Sequence, residues 1–187
     1  RALGLEKLAA DAVTIDEERG VLVDAATHER LATAELPEPV RAVAWSAAAG
    51  PEGGFVAVTP HGDLLALTVG GGGVEPVRSL GTPVADPGAL AVSPDGALAV
   101  VTDRAAASVA VVDVASGELI ETVSAGTEPD QVVFLEHFAV IRNAASADVT
   151  WIDLTDPSKN DNLTVGSSPP GRLAVAMSGP SGERAEE

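Results

Sequence analysis

Four short β runs follow one another in residues 90–123, LAVSPDGALAVVTDRAAASVAVVDVASGELIETV. Between the first two runs lies Ser93-Pro94-Asp95-Gly96, a tight turn in which Pro fixes one backbone dihedral angle and Gly accepts a positive φ. The middle runs are almost continuously apolar instead of alternating, which is typical of a sheet covered on both faces. The pattern predicts strands at Leu90–Ser93, Ala97–Thr102, Ser108–Val114 and Leu119–Val123.

A Pro followed by a short apolar run recurs at Pro39, Pro87, Pro129 and Pro170, with spacings of 48, 42 and 41 residues. Repeats of this length indicate either propeller blades or paired helices. The 19 Gly and 13 Pro interrupt the chain every few residues and leave no helical periodicity, which argues against helical repeats. The spacing predicts units at about 1–38, 39–86, 87–128 and 129–169, the start of another at 170–177, and a polar tail at 178–187.

The other units share this layout of runs and turns. In the second unit the turns are Gly50–Gly54 and Gly70–Gly73. The first unit has room for strands two to four and almost none for an innermost strand before them. Strands are predicted at Ala12–Ile15, Val21–Val23, Leu31–Glu35, Val132–Leu135, Ala139–Arg142, Val149–Leu154 and Leu163–Val165. The sequence therefore predicts an all-β protein, a β-propeller of four-stranded antiparallel blades with about four blades in this chain.

Two ways of completing such a propeller remain open. In the first, the chain is part of a larger propeller and pairs with further blades or with another chain. In the second, Arg172–Ala176 supplies the innermost strand of the first unit and closes a four-bladed ring, which hides the sheet edges. Contacts between Arg172–Ala176 and Ala12–Ile15 would indicate the ring.

The third unit resembles the YVTN-type β-propeller repeat. Ser93-Pro94-Asp95-Gly96 matches the turn of that repeat, Val100-Val101-Thr102-Asp103 stands at its name-giving tetrad, and Val111-Val112-Asp113 matches its third strand. The third-strand match recurs at Val21-Leu22-Val23-Asp24 and Trp151-Ile152-Asp153. The resemblance covers most of residues 12–177, but the chain has no Tyr and its second unit lacks Ser-Pro-Asp-Gly. It implies the propeller fold and an extracytoplasmic location (periplasmic, cell-surface or secreted), because such propellers are often found outside the cytoplasm.

The charge balance excludes several function classes. Lys and Arg total 11 against 28 Asp and Glu, a net charge of −17, and such a surface repels nucleic acids and anionic membranes. The absence of Cys removes thiol catalysis, disulfides and Cys-based metal sites. No apolar run approaches the roughly 20 residues of a membrane span. The scarcity of Lys and the Ala/Val-rich strands are typical both of salt-adapted (halophilic) proteins and of proteins from GC-rich genomes.

The blade layout predicts which residues share a face. Loops between strands two and three, and connections between blades, lie on one face, where the candidate binding residues collect: His61, Asp63, Asp86, Asp103, Arg104, Asp130, Arg142 and Asn143, with Glu38, Glu128 and Asp148 beside them. His28 and His137 fall in turns of the opposite face, which excludes a three-His metal site. The acidic residues of this face either form a contact surface for a cation or a basic partner, or they are only part of the negative charge that is spread over the whole surface.

No catalytic motif is present, and we expect no catalytic residues, metal or cofactor. Gly70–Gly73 lacks the Lys-Ser/Thr of a phosphate loop, and no Gly-x-Ser-x-Gly or His-Glu-x-x-His occurs. The predicted function is that of a non-catalytic binding or scaffold module, which contacts a protein or a small ligand through the loop face. The alternative is a cofactor- or metal-carrying propeller, because the unit Pro129–Val165 is similar to propellers related to the haem-d-binding domain of nitrite reductases. For that role His61 is the axial-ligand candidate on this face, but the surrounding negative charge opposes a carboxylated haem.

Overall fold

The computed structural model describes residues 13–16, 21–24, 30–33, 39–51, 53–70 and 73–174. Within them every regular element is a β-strand. The strands are β1 (Val13–Asp16), β2 (Val21–Asp24), β3 (Arg30–Thr33), β4 (Ala42–Ser46), β5 (Gly54–Val58), β6 (Leu64–Gly70), β7 (Gly73–Ser79), β8 (Pro87–Val92), β9 (Leu98–Asp103), β10 (Ser108–Asp113), β11 (Leu119–Ser124), β12 (Pro129–Leu135), β13 (Phe138–Asn143), β14 (Asp148–Asp153) and β15 (Asn160–Thr164).

The strands form four antiparallel sheets in sequence order. A first sheet contains β1-β2-β3, and three four-stranded sheets follow: β4 to β7 (the second blade), β8 to β11 (the third blade) and β12 to β15 (the fourth blade). The leading strands of these blades, β4, β8 and β12, lie side by side, as the innermost strands around a propeller axis do. The prediction of an all-β propeller with four-stranded antiparallel blades is confirmed.

The core lies between the blades. Val56, Val58, Leu64 and Ala66 of the second blade pack on Ala99, Val101, Ala110 and Val112 of the third. On its other face the third blade packs Val100, Val109 and Val123 against Ala139, Ile141 and Ile152 of the fourth. Strands β9 and β10 are therefore buried on both faces, which explains why their sequences are continuously apolar.

The Ser93-Pro94-Asp95-Gly96 turn joins β8 to β9 and also fastens the third blade to the second. The Ser93 hydroxyl accepts the N–H of Leu98 at 2.9 Å, and the Asp95 carboxylate accepts the N–H of Ala97 at 3.1 Å. Gly96 has φ +78°, and its carbonyl accepts a hydrogen bond from the buried Ser46 hydroxyl of the second blade at 2.6 Å. The turn thus also forms a hydrogen bond between two residues, Ser46 and Gly96, that are 50 positions apart in the sequence.

The last strand differs from its prediction. Strand β15 begins at Asn160 and ends at Thr164, whereas the apolar pattern predicted Leu163–Val165. Asn160 and Asp161 pair with Ile152 and Trp151 of β14 through their backbones, while all five side chains of β15 are exposed. Besides the backbone pairing, the Thr150 hydroxyl donates to the side-chain oxygen of Asn162 at 2.6 Å. Hydropathy does not detect a strand of exposed polar residues that is held by hydrogen bonds on the outside of a blade.

A four-bladed ring would bring Arg172–Ala176 into contact with Ala12–Ile15, and some of these residues lie outside the part of the chain that the structure describes. Residues 171–174 belong to no sheet, and the first sheet contains three strands among the described residues. Ala12, Val175 and Ala176 lie outside them, as does the tail 178–187. Among the residues that the structure describes, no helix is long and apolar enough to cross a membrane.

Candidate functional site

One end of the sheets, called the loop face here, carries the candidate binding residues. It comprises the loops 59–63, 80–86, 104–107, 125–128 and 144–147 together with the adjoining strand ends. Its sequence candidates are His61, Asp63, Asp86, Asp103, Arg104, Asp130, Arg142 and Asn143, and all of them lie there. His137 lies in the β12–β13 turn at the other end of the fourth blade. His28 and Glu38 lie outside the described residues.

Two of the candidates point inward and hold loops. Asp103 is only 4% exposed, and its carboxylate accepts the N–H groups of Ala85 at 2.7 Å and Ala106 at 2.8 Å, with that of Asp86 at 3.4 Å. Burial by itself would raise the pKa of Asp103, but these backbone donors outweigh it and lower the pKa below its ordinary value. The charge of Asp103 therefore serves the fold of the loop face.

Asn143 occupies the same place in the fourth blade as Asp103 does in the third. Its amide is fully buried and donates to the carboxylate of Asp148 at 2.9 Å and to the hydroxyl of Thr150 at 3.0 Å. The Asp148 carboxylate also accepts the hydroxyl of Ser146 at 2.6 Å. Because these groups satisfy one another, Asn143 and Asp148 form a structural network and offer little to a ligand.

Near the innermost strands, acidic and basic side chains are paired. Arg41 and Arg104 both approach the carboxylate of Asp86, at 3.8 and 3.6 Å. Arg142 binds Asp130 with two hydrogen bonds, from Nε at 2.7 Å and from Nη2. Hydrogen bonding to Asp130 raises the pKa of Arg142. This part of the loop face therefore displays mixed charge, where the sequence predicted an acidic surface interleaved with Arg.

A polar cavity of about 230 Å³ opens beside Asp86, lined also by Arg104, Ala105 and Glu128. Glu128 is exposed and has φ +54°, a left-handed conformation that is uncommon for residues other than Gly. The cavity lies where the second–third connection meets the third–fourth connection. Glu128 is one of the residues that the sequence predicts on this face. Arg41, which precedes β4 and reaches Asp86 across 45 residues, was not predicted there.

The outer part of the loop face carries His61 and Asp63. His61 is exposed at the tip of the β5–β6 loop. Asp63 is half-buried, and its carboxylate accepts the hydroxyl of Thr82 at 2.5 Å. Neither residue joins a cluster that would hold a metal: among the described residues no group of three or more His, Asp or Glu has that arrangement.

A second cavity, of about 390 Å³, lies among the innermost strands and was not predicted. It is lined by Trp45, Phe55 and Phe134 together with parts of β4 and β8. The Trp45 and Phe55 rings meet edge to face, with their centroids 5.3 Å apart. In the sequence, the feature that points to this cavity is an aromatic residue in two of the innermost-strand runs, Trp45 after Pro39 and Phe134 after Pro129.

No family model and no curated protein matches the sequence. Among solved structures, the chain is similar to one in the crystal structure of the mitotic checkpoint complex, with a TM-score of 0.66 and 12% identity over 83% of this chain and 51% of that one. It is also similar to a functionally unknown protein from Desulfotomaculum acetoxidans DSM 771, with a TM-score of 0.64 and 12% identity over 81% of this chain and 54% of that one. These likenesses establish the fold alone. The chain spans about half the length of both structures.

Proposed function

We propose that this protein is a non-catalytic β-propeller binding module that contacts a protein partner through its loop face. The observation that carries the proposal is the mixed-charge array around the cavity beside Asp86, where Arg104 and Glu128 are both accessible to a partner. Propellers present their loops on a rigid scaffold, so such an array keeps a fixed geometry for recognition. The mitotic checkpoint complex is itself a protein assembly, which supports a protein partner over a small molecule.

The charge of the face defines the partner that suits it. Around the cavity Asp86 is already paired with two Arg, so Glu128 is the acid left to attract a cation. Arg104, with 41% of its side chain exposed, can donate hydrogen bonds to a carboxylate or a carbonyl oxygen. We therefore propose a partner surface with a basic group opposite Glu128 and an acceptor opposite Arg104. Strong net negative charge would also speed its approach at low salt.

The absence of catalysis is part of the same proposal. In the described residues the buried carboxylate of Asp103 and the buried amide of Asn143 have hydrogen-bond partners within the fold, and no buried side-chain N or O atom lacks one. A catalytic acid or base instead needs a titratable group held toward a substrate. A visible absorption band that copurifies with the protein would contradict this proposal in favour of a cofactor-carrying propeller.

We also propose an extracytoplasmic location, supported by the resemblance of the third blade to the YVTN-type repeat at Ser93–Gly96 and Val100–Asp103. Fractionation of the source cells with an antibody against the protein tests the location. Recovery with cytoplasmic markers would contradict it.

A charge-swap experiment tests the binding face. The double variant Arg104→Glu/Glu128→Lys keeps the net charge of the chain but inverts the pattern around the cavity. A matched control, Glu118→Lys/Lys159→Glu, does the same at two exposed positions in turns of the opposite end. Partners cross-linked to the wild-type protein in source extracts are identified and purified, and their affinities are measured with all three proteins.

The proposal expects the loop-face swap to weaken binding at least tenfold, with the control unchanged, because only the first swap places like charges against the partner. Equal affinity of the wild type and the loop-face variant would overturn the proposal. So would an equal loss in both variants, since both keep the net charge of the wild type and each removes one ion pair.

A further inference from the structure

The third and fourth blades begin with equivalent connections on the loop face. Asp86 stands directly before the repeated Pro of the third blade, and Glu128 directly before that of the fourth. The carbonyl of Asp86 accepts the N–H of Arg104 at 2.9 Å, and the carbonyl of Glu128 accepts that of Ala144 at 3.0 Å. Glu128 and Ala144 of the fourth blade therefore occupy the places that Asp86 and Arg104 occupy in the third.

The two acids differ in the positive charge that surrounds them. Arg104 of the third blade and Arg41 of the second both approach the Asp86 carboxylate, at 3.6 and 3.8 Å. At the place equivalent to Arg104, the fourth blade has the uncharged Ala144. In the part of the chain that the structure describes, no Lys or Arg forms an ion pair with Glu128, which is exposed, whereas Asp86 is half-buried.

A second positive charge is missing two residues after the repeated Pro. That position holds Arg41 in the second blade, Ala89 in the third and Gln131 in the fourth. Arg41 reaches Asp86, directly before the third blade, and the Gln131 side chain bonds to the backbone of Leu173, 42 positions further on. The position thus contacts the chain that follows its blade in two of the three blades. In the third blade, Ala89 has only a methyl group and supplies no such contact.

The polar cavity beside Asp86 gives access to the carboxylate that lacks these charges. Glu128 and Arg104 both line it, and its volume of about 230 Å³ is several times the roughly 30 Å³ that one molecule of liquid water occupies. The head group of a side chain therefore fits. Arg104 does not prevent a second positive group from entering, because the Asp86 carboxylate already has two guanidinium groups near it, at 3.6 and 3.8 Å.

We propose that this cavity binds an arginine side chain of the protein partner, whose guanidinium group supplies to Glu128 the charge that Arg41 and Arg104 supply to Asp86. The proposal rests on the protein-binding function of the loop face and names the basic group that this face recognises. Arginine suits the cavity better than lysine, because its planar group can donate two parallel hydrogen bonds to one carboxylate and is more weakly hydrated. A backbone carbonyl of the same peptide segment can accept a hydrogen bond from Arg104.

The experiment titrates the nitrogen-15-labelled 187-residue protein with acetyl-Gly-Arg-Gly-amide and follows its backbone amide signals by NMR. A salt concentration of about 0.15 M gives a Debye length of about 8 Å and screens long-range attraction by the net charge. The lysine analogue of the peptide keeps the charge, and the citrulline analogue keeps the shape without the charge. We expect saturable shifts at the cavity residues, with arginine binding about threefold or more tightly than lysine and no saturation with citrulline.

Two variants change the charge at the proposed site. Glu128→Gln removes the carboxylate and is expected to weaken binding of the arginine peptide about tenfold. Its matched control is Glu136→Gln, which should bind as the wild type does, because Glu136 is also exposed, has the same φ of +54° and follows β12 as Glu128 precedes it. Ala144→Arg supplies the missing charge from within the chain and should weaken binding about fivefold. Its control, Leu135→Arg, adds the same charge at a position that is 52% exposed at the other end of β12 and should have no effect.

A dispersed amide spectrum shows that each variant remains folded. Shifts spread over the whole acidic surface would overturn the proposal, as would equal affinities of Glu128→Gln and Glu136→Gln for the arginine peptide. Equal binding of the arginine and lysine peptides would overturn it too. If the arginine peptide does not bind while the Arg104→Glu/Glu128→Lys swap still weakens the natural partner, the arginine site is wrong and the protein-binding function of the loop face stands.

Discussion

Asp103 is a buried charge that ties two loops of the loop face together. The neighbouring N–H groups of Ala85, Asp86 and Ala106 converge on its carboxylate. Replacement by Asn keeps the size but turns an amide donor toward at least one of these donors. We expect Asp103→Asn to lower the free energy of unfolding by about 2 kcal/mol at neutral pH, measured by urea denaturation. Glu118→Gln, at an exposed turn position, is the control and should change little.

The same carboxylate gives stability a defined pH dependence. Because backbone donors lower the pKa of Asp103 in the folded state, its contribution is complete above the ordinary Asp pKa of about 3.9. It is lost as the pH falls from there through the lower folded pKa. The wild-type protein should therefore lose more stability than Asp103→Asn on acidification below pH ~4. Parallel losses in the two proteins would contradict this role.

For single residues, the sequence predicted where candidate side chains lie but not the direction in which they point. It placed Asp103 and Asn143 at strand ends on the loop face, and both are there. It did not predict that they turn inward, because the N–H groups they satisfy belong to connections distant in sequence, such as Ala85. The Asp that ends the third strand of the third and fourth blades has its hydrogen-bond partners close by in the sequence. Asp113 accepts the N–H of Ser116, and Asp153 that of Thr155, so each closes the turn that follows it.

At the scale of elements, Gly96 tests how a turn fastens two blades. Its φ of +78° favours glycine, and a Cβ there would stand 2.7 Å from the backbone nitrogen of Ala47 in the second blade. Gly81 has φ +94°, with nothing within 4 Å of its Cβ position. Both Gly→Ala variants carry the cost of a positive φ, but only Gly96→Ala must also displace a neighbouring blade. We expect it to lose about 1–2 kcal/mol more than Gly81→Ala in chemical denaturation.

The strands themselves were largely predictable, since turn residues and apolar runs mark their ends within a few positions. The exceptions share one cause. Strand β15 begins with polar residues, and β8 and β12 begin at Pro87 and Pro129, before the apolar run. Backbone pairing with a neighbouring strand extends each of them beyond the residues that burial selects. For the Gly96 prediction, equal losses of unfolding free energy in Gly96→Ala and Gly81→Ala would show that the Ser93–Gly96 turn does not stabilise the contact between the second and third blades.

At the scale of the whole molecule, the repeat spacing predicted the sheets but not the surfaces between them. The cavity lined by Trp45, Phe55 and Phe134 draws its aromatic rings from the second and fourth blades. The pairing of Arg104 with Asp86 likewise joins consecutive repeats. Such contacts depend on the angle between blades, which no single repeat encodes.

Net charge gives the whole molecule a salt dependence. The 28 acidic residues outnumber the 11 Lys and Arg, so most of the negative charge has no positive side chain to balance it. Salt shortens the Debye length from about 30 Å at 0.01 M to about 3 Å at 1 M, which weakens repulsion in the compact state more than in the expanded chain. We expect stability to rise by about 2 kcal/mol over this range, or roughly 5 °C in Tm.

Calorimetry on the wild-type protein at low protein concentration measures this rise. Sodium chloride and sodium perchlorate should raise Tm equally below about 0.3 M, since screening depends on ionic strength, and diverge above it as ion-specific effects take over. A Tm that is flat in both salts would show that acidic groups are too widely spaced to repel in the folded state. A rise with chloride alone would assign the effect to ion-specific hydration and not to the −17 charge.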